Sequence, residues 1–217
     1  MTINANGWLD DLDFQIVSAK DLLASPRAMR DTLGVYMILL SAADQIFTCA
    51  GLSGAEALRS WNVGNHQLVY IGEGIGVRSR AMQHLTGTIR DSSARELLLS
   101  LQFSSQVLWP EGSSSLIEME QRLTSFLIEN TYFAFRYGGY VKDAERELIQ
   151  RTASPFNTAG NAKSPLLAQL KVLRDQFRAH LRATGQRHHR AAMPASAWLL
   201  RTNHLAGSPT QSTNPLS

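Results

Sequence analysis

The chain has 217 residues, of which 44% are hydrophobic, 8% aromatic and 18% charged. That composition supports a self-sufficient core and excludes a disordered or collagen-like chain, and no apolar run approaches the ~20 residues of a membrane span. A net charge of +3 hides an asymmetry: 13 basic against 17 acidic residues up to position 160, then 8 against 1 beyond it. An end-loaded positive charge suits a polyanion better than a small neutral substrate, with solvation of a surface helix as the plainer alternative. The single cysteine, Cys49, rules out an internal disulfide and, with six dispersed histidines, a cysteine-rich zinc site. The acidic start (Trp8, Asp10, Asp11, Asp13) lacks the layout of a secretion signal, so a cytoplasmic setting is expected, with any metal hard and oxygen-bound.

In chain order, residues 1–32 read as an N-terminal appendage with a short apolar patch (Phe14, Ile16, Val17), a helix near Asp21 to Ala24 and a break at Pro26. The run Gly34-Val35-Tyr36-Met37-Ile38-Leu39-Leu40 has strand length and composition, as does Gln67-Leu68-Val69-Tyr70-Ile71 ending at Gly72. The stretch 41–66 between them reads as an insertion, with a short strand around Ile46 to Cys49 and a short helix from Gly54 to Trp61. From Gly76 the period changes: Val77, Ala81 and Leu85 form a helical stripe, Gly87 follows as a stop, and Arg80 and His84 share a neighbouring face. A helix from Ser93 to Leu101, a strand from Phe103 to Trp109 and a helix from Ser113 to Asn130 come next. The stretch Thr131 to Tyr140 reads as an interrupted helical half, and Val141 to Arg151 resumes as helix. After a linker at 158–165, a helix to about Ala183 carries apolar Leu166, Leu170, Leu173, Phe177 and Leu181, with Lys171, Arg174, Arg178 and Arg182 as a basic stripe. Residues 185–217 lack sustained periodicity and read as a tail disordered unless bound.

Two strands with a tyrosine beside glycine, Gly34-Val35-Tyr36 and Tyr70-Ile71-Gly72, are followed by Arg80 ten residues after the second tyrosine and His84 four residues later. Further on, Ala144-Glu145-Arg146-Glu147-Leu148-Ile149 leads to Pro155-Phe156-Asn157. In these residues the sequence resembles the GIY-YIG nuclease family over roughly 33–159, leaving a basic amphipathic helix at 160–184 outside. The resemblance implies an α+β fold, a small three-stranded antiparallel or mixed sheet flanked by helices. It also implies an endonuclease acting on nucleic acid, most of all DNA, and not on a membrane. As general base it implies Tyr36, with Tyr70 orienting water or phosphate, Arg80 clamping the phosphate, His84 donating to a phosphate oxygen or relaying a proton, and Glu145 binding Mg²⁺ or another divalent cation such as Mn²⁺. The departures are the 34 residues between the tyrosines and the Glu73-Gly74 pair after Gly72.

The residue types suit that chemistry. Phosphodiester cleavage needs a group to take a proton from water, a cation for the crowded phosphate charge and a route for the leaving oxygen to gain a proton or metal contact. Helix geometry puts Glu145 between Leu148 and Ile149 on the apolar arc and Glu147 opposite, and a carboxylate there is costly unless neutralised by a metal or a structural arginine. Glu120 is a rival on the same grounds, on the apolar arc of its own helix; Asn157, twelve residues after Glu145, favours Glu145. The competing functions are a catalytically inactive nucleic-acid-binding module on the same scaffold, and an interaction domain in which both tyrosines are core. The sequence carries no readable base preference and no sign of an oligomeric state.

Overall fold

The strand-forming run at residue 34 becomes the middle of an antiparallel sheet in the computed structural model, which describes residues 13–41, 43, 46–47, 50–52, 62–63, 66–105, 115–139, 141–152, 154–157, 161, 164 and 166–186. The strands are β1 (Gln15–Ser18), β2 (Gly34–Leu40), β3 (Asn62–Val63), β4 (His66–Gly74) and β5 (Thr131–Tyr137), in the order β1-β5-β2-β4-β3. The helices are α1 (Ala19–Ala24), α2 (Val77–Thr86), α3 (Ser93–Ser105), α4 (Leu116–Asn130), α5 (Val141–Thr152) and α6 (Leu167–Ala183). The fold is mixed α+β, as expected, but the sheet has five strands among the described residues rather than three.

All seven residues of β2 are buried, because the sheet is covered on both faces. One face carries Tyr36, Ile38, Leu40, Val69, Phe133 and Phe135 into the larger core, beneath the apolar stripes of α2, α3, α4 and α6. The opposite face, with Val35, Met37, Leu39, Leu68, Ile71 and Ala134, packs against Leu148 and Ile149 of α5. Among the described residues, no helix is long and apolar enough to cross a membrane.

The third strand of the central trio is Thr131–Tyr137, which the sequence had assigned to an interrupted helix. Its alternation of Thr131, Phe133 and Phe135 with Tyr132 and Ala134 has the period of a strand, but α4 runs into it without a loop. Asn130 bonds back to the Phe126 carbonyl through Nδ2, while its own carbonyl accepts from Ser41 N–H at the end of β2, so the helix stops where the strand must begin. The strand expected from Phe103 to Trp109 is corrected at its start: Phe103 lies in α3, its ring tilted against Phe177 of α6 with centroids 5.7 Å apart. Residues 106–110 lie outside the described residues. Ile46 and Phe47 are helical rather than extended and are buried, Phe47 against Phe156. Cys49, the helix at Gly54 to Trp61 and the tail beyond 186 lie outside the described residues.

Residues 13–32, set apart in the sequence as an appendage, touch the sheet and the site. β1 extends it by pairing Gln15–Ser18 with Tyr132–Phe135. Asp31 reaches the start of α2, accepting from Ser79 N–H at 2.9 Å and from Ser79 Oγ at 2.6 Å. The N-cap residue of α2 is Gly76, which has no side chain to offer, so Asp31 does the capping from a distance. Those two hydrogen bonds hold its carboxyl below the usual carboxylate range.

Candidate active site

Unbroken pairing of Tyr36 with Gly72 and of Ile38 with Tyr70 puts the two tyrosines on one face, and a β-bulge follows just beyond Tyr70. The pairing steps from Ile38↔Tyr70 to Leu39↔Leu68, leaving Val69 as the extra residue on β4. Without it Tyr70 and Leu68 would share a face; with it Leu68 enters the α5 side while Val69 and Tyr70 join Tyr36 on the other. Opposite Tyr36 stands Gly72, and a Cβ there would sit 2.5 Å from the Tyr36 Cζ and Oη. The glycine of the second motif thus makes room for the tyrosine of the first. Gly34 is equally confined, since its Cβ would meet the Arg136 carbonyl oxygen at 2.4 Å.

The Tyr36 side chain is wholly buried, and its hydroxyl lies 2.7 Å from His84 Nε2. Arg80 also bonds to it, and Tyr70 stands beside it with ring centroids 6.2 Å apart. Burial pushes the Tyr36 phenol well up, the neighbouring Tyr70 adds to this, and Arg80 opposes it. Tyr70 is raised by burial and by Glu145, and bonds to the Ser93 hydroxyl. His84, turned inward on α2, has its Nδ1 2.6 Å from Ser92 Oγ, so both ring nitrogens are engaged. Burial, with the cations Arg80 and Arg95, pushes its pKa down to about 3, so the imidazole is neutral at physiological pH.

Glu145 and its neighbours on α5 follow helix geometry: Glu145 is half-buried and Glu147 exposed. The Glu145 carboxyl lies within electrostatic reach of Tyr36, Tyr70 and Glu73, and is raised by lost hydration and by the Glu73 charge. Tyr36, Tyr70, Arg80, His84 and Glu145 are therefore one constellation, with Tyr36 and His84 beneath and Tyr70, Arg80 and Glu145 at the partly exposed rim. Glu120 is elsewhere, accepting from Ile89 N–H at 2.7 Å and lying beside Arg95. Asn157 holds the site without joining it: Ile71 N–H donates to its Oδ1 at 2.8 Å and its Nδ2 donates to the Ile71 carbonyl at 2.7 Å. Phe156 N–H meanwhile bonds the carbonyl of the bulge residue, Val69, at 2.9 Å.

Three supporting residues escaped the sequence reading. Ser92 Oγ accepts from Arg95 N–H at 3.1 Å, capping α3 while it holds His84. Ser93 bonds to Tyr70. Arg95, 1% exposed, donates to the carbonyls of His84, Leu85 and Glu120 and to Thr124 Oγ1, locking the end of α2 to α3 and α4. The sign available was Ser-Ser-x-Arg at a helix start, where serine caps; nothing in the pattern shows an arginine turning inward.

The donor set suits a hard divalent ion of the Mg²⁺ type. Among the described residues, no three His, Cys, Asp or Glu side chains gather into a metal cage. Such an ion characteristically takes one or two carboxylates and fills its shell with water and phosphate oxygens, and desolvated Glu145 beside Glu73 offers that. No curated protein and no solved structure matches the chain. A family model described as the GIY-YIG catalytic domain matches residues 34–176, a span that takes in all five site residues. The chain belongs to the GIY-YIG family, whose catalytic domain is that of nucleases acting on nucleic acid, generally with a divalent metal.

Proposed function

We propose that the protein is an endonuclease that hydrolyses DNA phosphodiester bonds at the Tyr36, Tyr70, Arg80, His84 and Glu145 site, with Glu145 holding Mg²⁺ or Mn²⁺. The observation that carries this reading is the 2.7 Å bond between the Tyr36 hydroxyl and a neutral, buried His84, placed under a rim of one guanidinium, one phenol and one carboxylate. A core tyrosine has no need of that company.

Arg80 at the rim binds the scissile phosphate through its planar guanidinium and takes up charge as the phosphorus becomes five-coordinate. Tyr70 orients the attacking water or a phosphate oxygen. A phenol raised as Tyr36 is cannot ionise unaided, and His84 supplies the outlet: as Tyr36 takes a proton from water, its own passes to Nε2. Imidazolium is disfavoured in the resting site partly by Arg80, and a phosphate on Arg80 offsets that cation. With both ring nitrogens occupied, His84 is placed for relay rather than direct donation to a phosphate. A divalent ion held by Glu145 would supply Lewis acidity and neutralise charge on the phosphate.

The test is incubation of supercoiled plasmid with the protein, with and without Mg²⁺ or Mn²⁺. Metal-dependent nicking or cutting is expected, reduced by about 10²–10⁴-fold in Tyr36→Phe, the range of a lost general base, and abolished in Arg80→Ala. Full activity in both variants, with the fold retained, removes the assignment. Binding without cleavage under every metal condition supports a non-catalytic module instead.

A further inference from the structure

Of the basic stripe of α6, Arg178 and Arg182 of its C-terminal half line the cleft that α6 shares with α3. Between the start of α3 and the end of α6 lies a cleft of about 940 Å³ walled by Arg90, Ser93, Glu96, Arg178, Leu181 and Arg182. Lys171 and Arg174 do not line it. Its single acidic residue is already spent. Glu96 is nearly buried and receives Arg178 through Nε and, at 2.7 Å, through Nη2, which cancels its charge and fixes the plane of the guanidinium. Arg178 Nη1 makes no hydrogen bond among the described residues, and Arg178 remains partly exposed. Arg90 and Arg182 are exposed and form no ion pair among the described residues. The inner wall is also a wall of the active site, because Ser93, which lines the cleft, bonds to Tyr70.

We propose that this cleft holds the phosphodiester backbone of the substrate beyond the scissile bond, with Arg90, Arg178 and Arg182 contacting successive phosphates. Three guanidinium groups from two parts of the chain around an opening of about 940 Å³ match a chain of phosphates better than one small anion, and continuity with Tyr70 through Ser93 makes the occupant the strand being cut. The inference rests on the nuclease reading for the identity of that strand. It also separates Arg178 and Arg182 from Lys171, about two and three turns back along the same helix, which the charge pattern alone had treated alike.

The test is anisotropy of a fluorescein-labelled double-stranded DNA oligonucleotide, titrated with the full chain in a chelator-containing buffer at a series of salt concentrations. For Arg90→Gln/Arg182→Gln the Kd is expected to rise by about tenfold or more, with the slope of log affinity against log salt shallower by roughly 2, about one for each phosphate left without its arginine. Both positions are exposed, so the thermal midpoint should hold. Lys171→Gln removes a charge from the same helix outside the cleft and should leave the slope within the wild-type value. Equal affinity and slope in wild type and the double variant, or equal weakening by Lys171→Gln, overturns the cleft. Failure of the nuclease reading looks different: wild type binds with the cleft-dependent slope but cuts with neither metal. Cleavage with the same KM in wild type and the double variant overturns the cleft and keeps the nuclease.

Discussion

His84 carries an electrostatic consequence that lies within the accessible pH range. In the unfolded chain it titrates near 6.5, whereas in the folded site burial and the cations Arg80 and Arg95 hold it at about 3. Between those values the unfolded state binds the extra proton, so stability contributed by neutral His84 is fully present above pH 6.5 and is lost as pH falls toward 3. Asp31 and Asp91, both held below the usual carboxylate range, add a further loss only nearer pH 4. Half-buried His66 acts in the same direction as His84. Thermal melts from pH 7 to 5 should therefore show a falling midpoint, and the fall should be shallower in His84→Gln. Parallel curves for variant and wild type would mean that His84 takes up its proton equally readily in the folded and unfolded protein. At this scale the motif was readable, since the spacings that join Tyr70, Arg80 and His84 along the chain also join them in space. The inward turn of His84 was not, because a helical histidine beside Arg80 looks the same in sequence whether it meets solvent or a buried serine.

The element on which the site depends most is β4. It carries Tyr70 and Glu73 at the candidate site and Gly72 as the space for Tyr36, yet on the side of Ile71 away from β2 there is no further strand. Ser154–Asn157 fills that place: the Asn157 side chain imitates a neighbouring strand by donating to and accepting from Ile71, and Ser154 Oγ donates to Asn157. Asn157→Ala strands the Ile71 N–H and carbonyl in the interior, at ~1–3 kcal/mol for each buried group left unmade. A lower urea midpoint and reduced cleavage are expected together, because α5, which carries Glu145, leads directly into this clasp. Unchanged stability would show that the Ile71 groups find other partners. The sequence linked Glu145 with Asn157 only by their separation; their physical relation is that one lies beside Tyr70 and Glu73 and the other fixes the strand that carries them. The bulge was hidden for a plainer reason. Inserting one residue changes which face each side chain takes without altering composition, and Leu68, Val69, Tyr70 and Ile71 all suit a buried strand. β5 was hidden because helix and strand meet at Asn130–Thr131 with neither glycine nor proline between them.

Across the whole molecule, charge and fold divide the labour. The acidic body carries the candidate site, while the positively charged segment beyond residue 160 contributes α6, whose Leu170, Phe177 and Leu181 lie in the main core. The charge asymmetry was legible from counting alone. Its placement was not, because a stripe on a helical wheel does not show that Glu96 neutralises one arginine while Arg90, from another element, joins two others. Nor does pattern show how far the catalytic unit extends toward the N-terminus. The matched segment begins at residue 34, yet Asp31 clasps Ser79 and the Thr32 carbonyl accepts from Val77 N–H at 3.1 Å. A recombinant fragment trimmed to residue 34 would retain all five candidate side chains but hold them poorly, since the first turn of the helix bearing Arg80 and His84 would fray. Amide exchange at residues 77–80 should quicken in that fragment while the β2 amides stay slow, and an Asp31→Ala version of the intact chain should reproduce much of the effect: three residues ahead of the motif act as its latch.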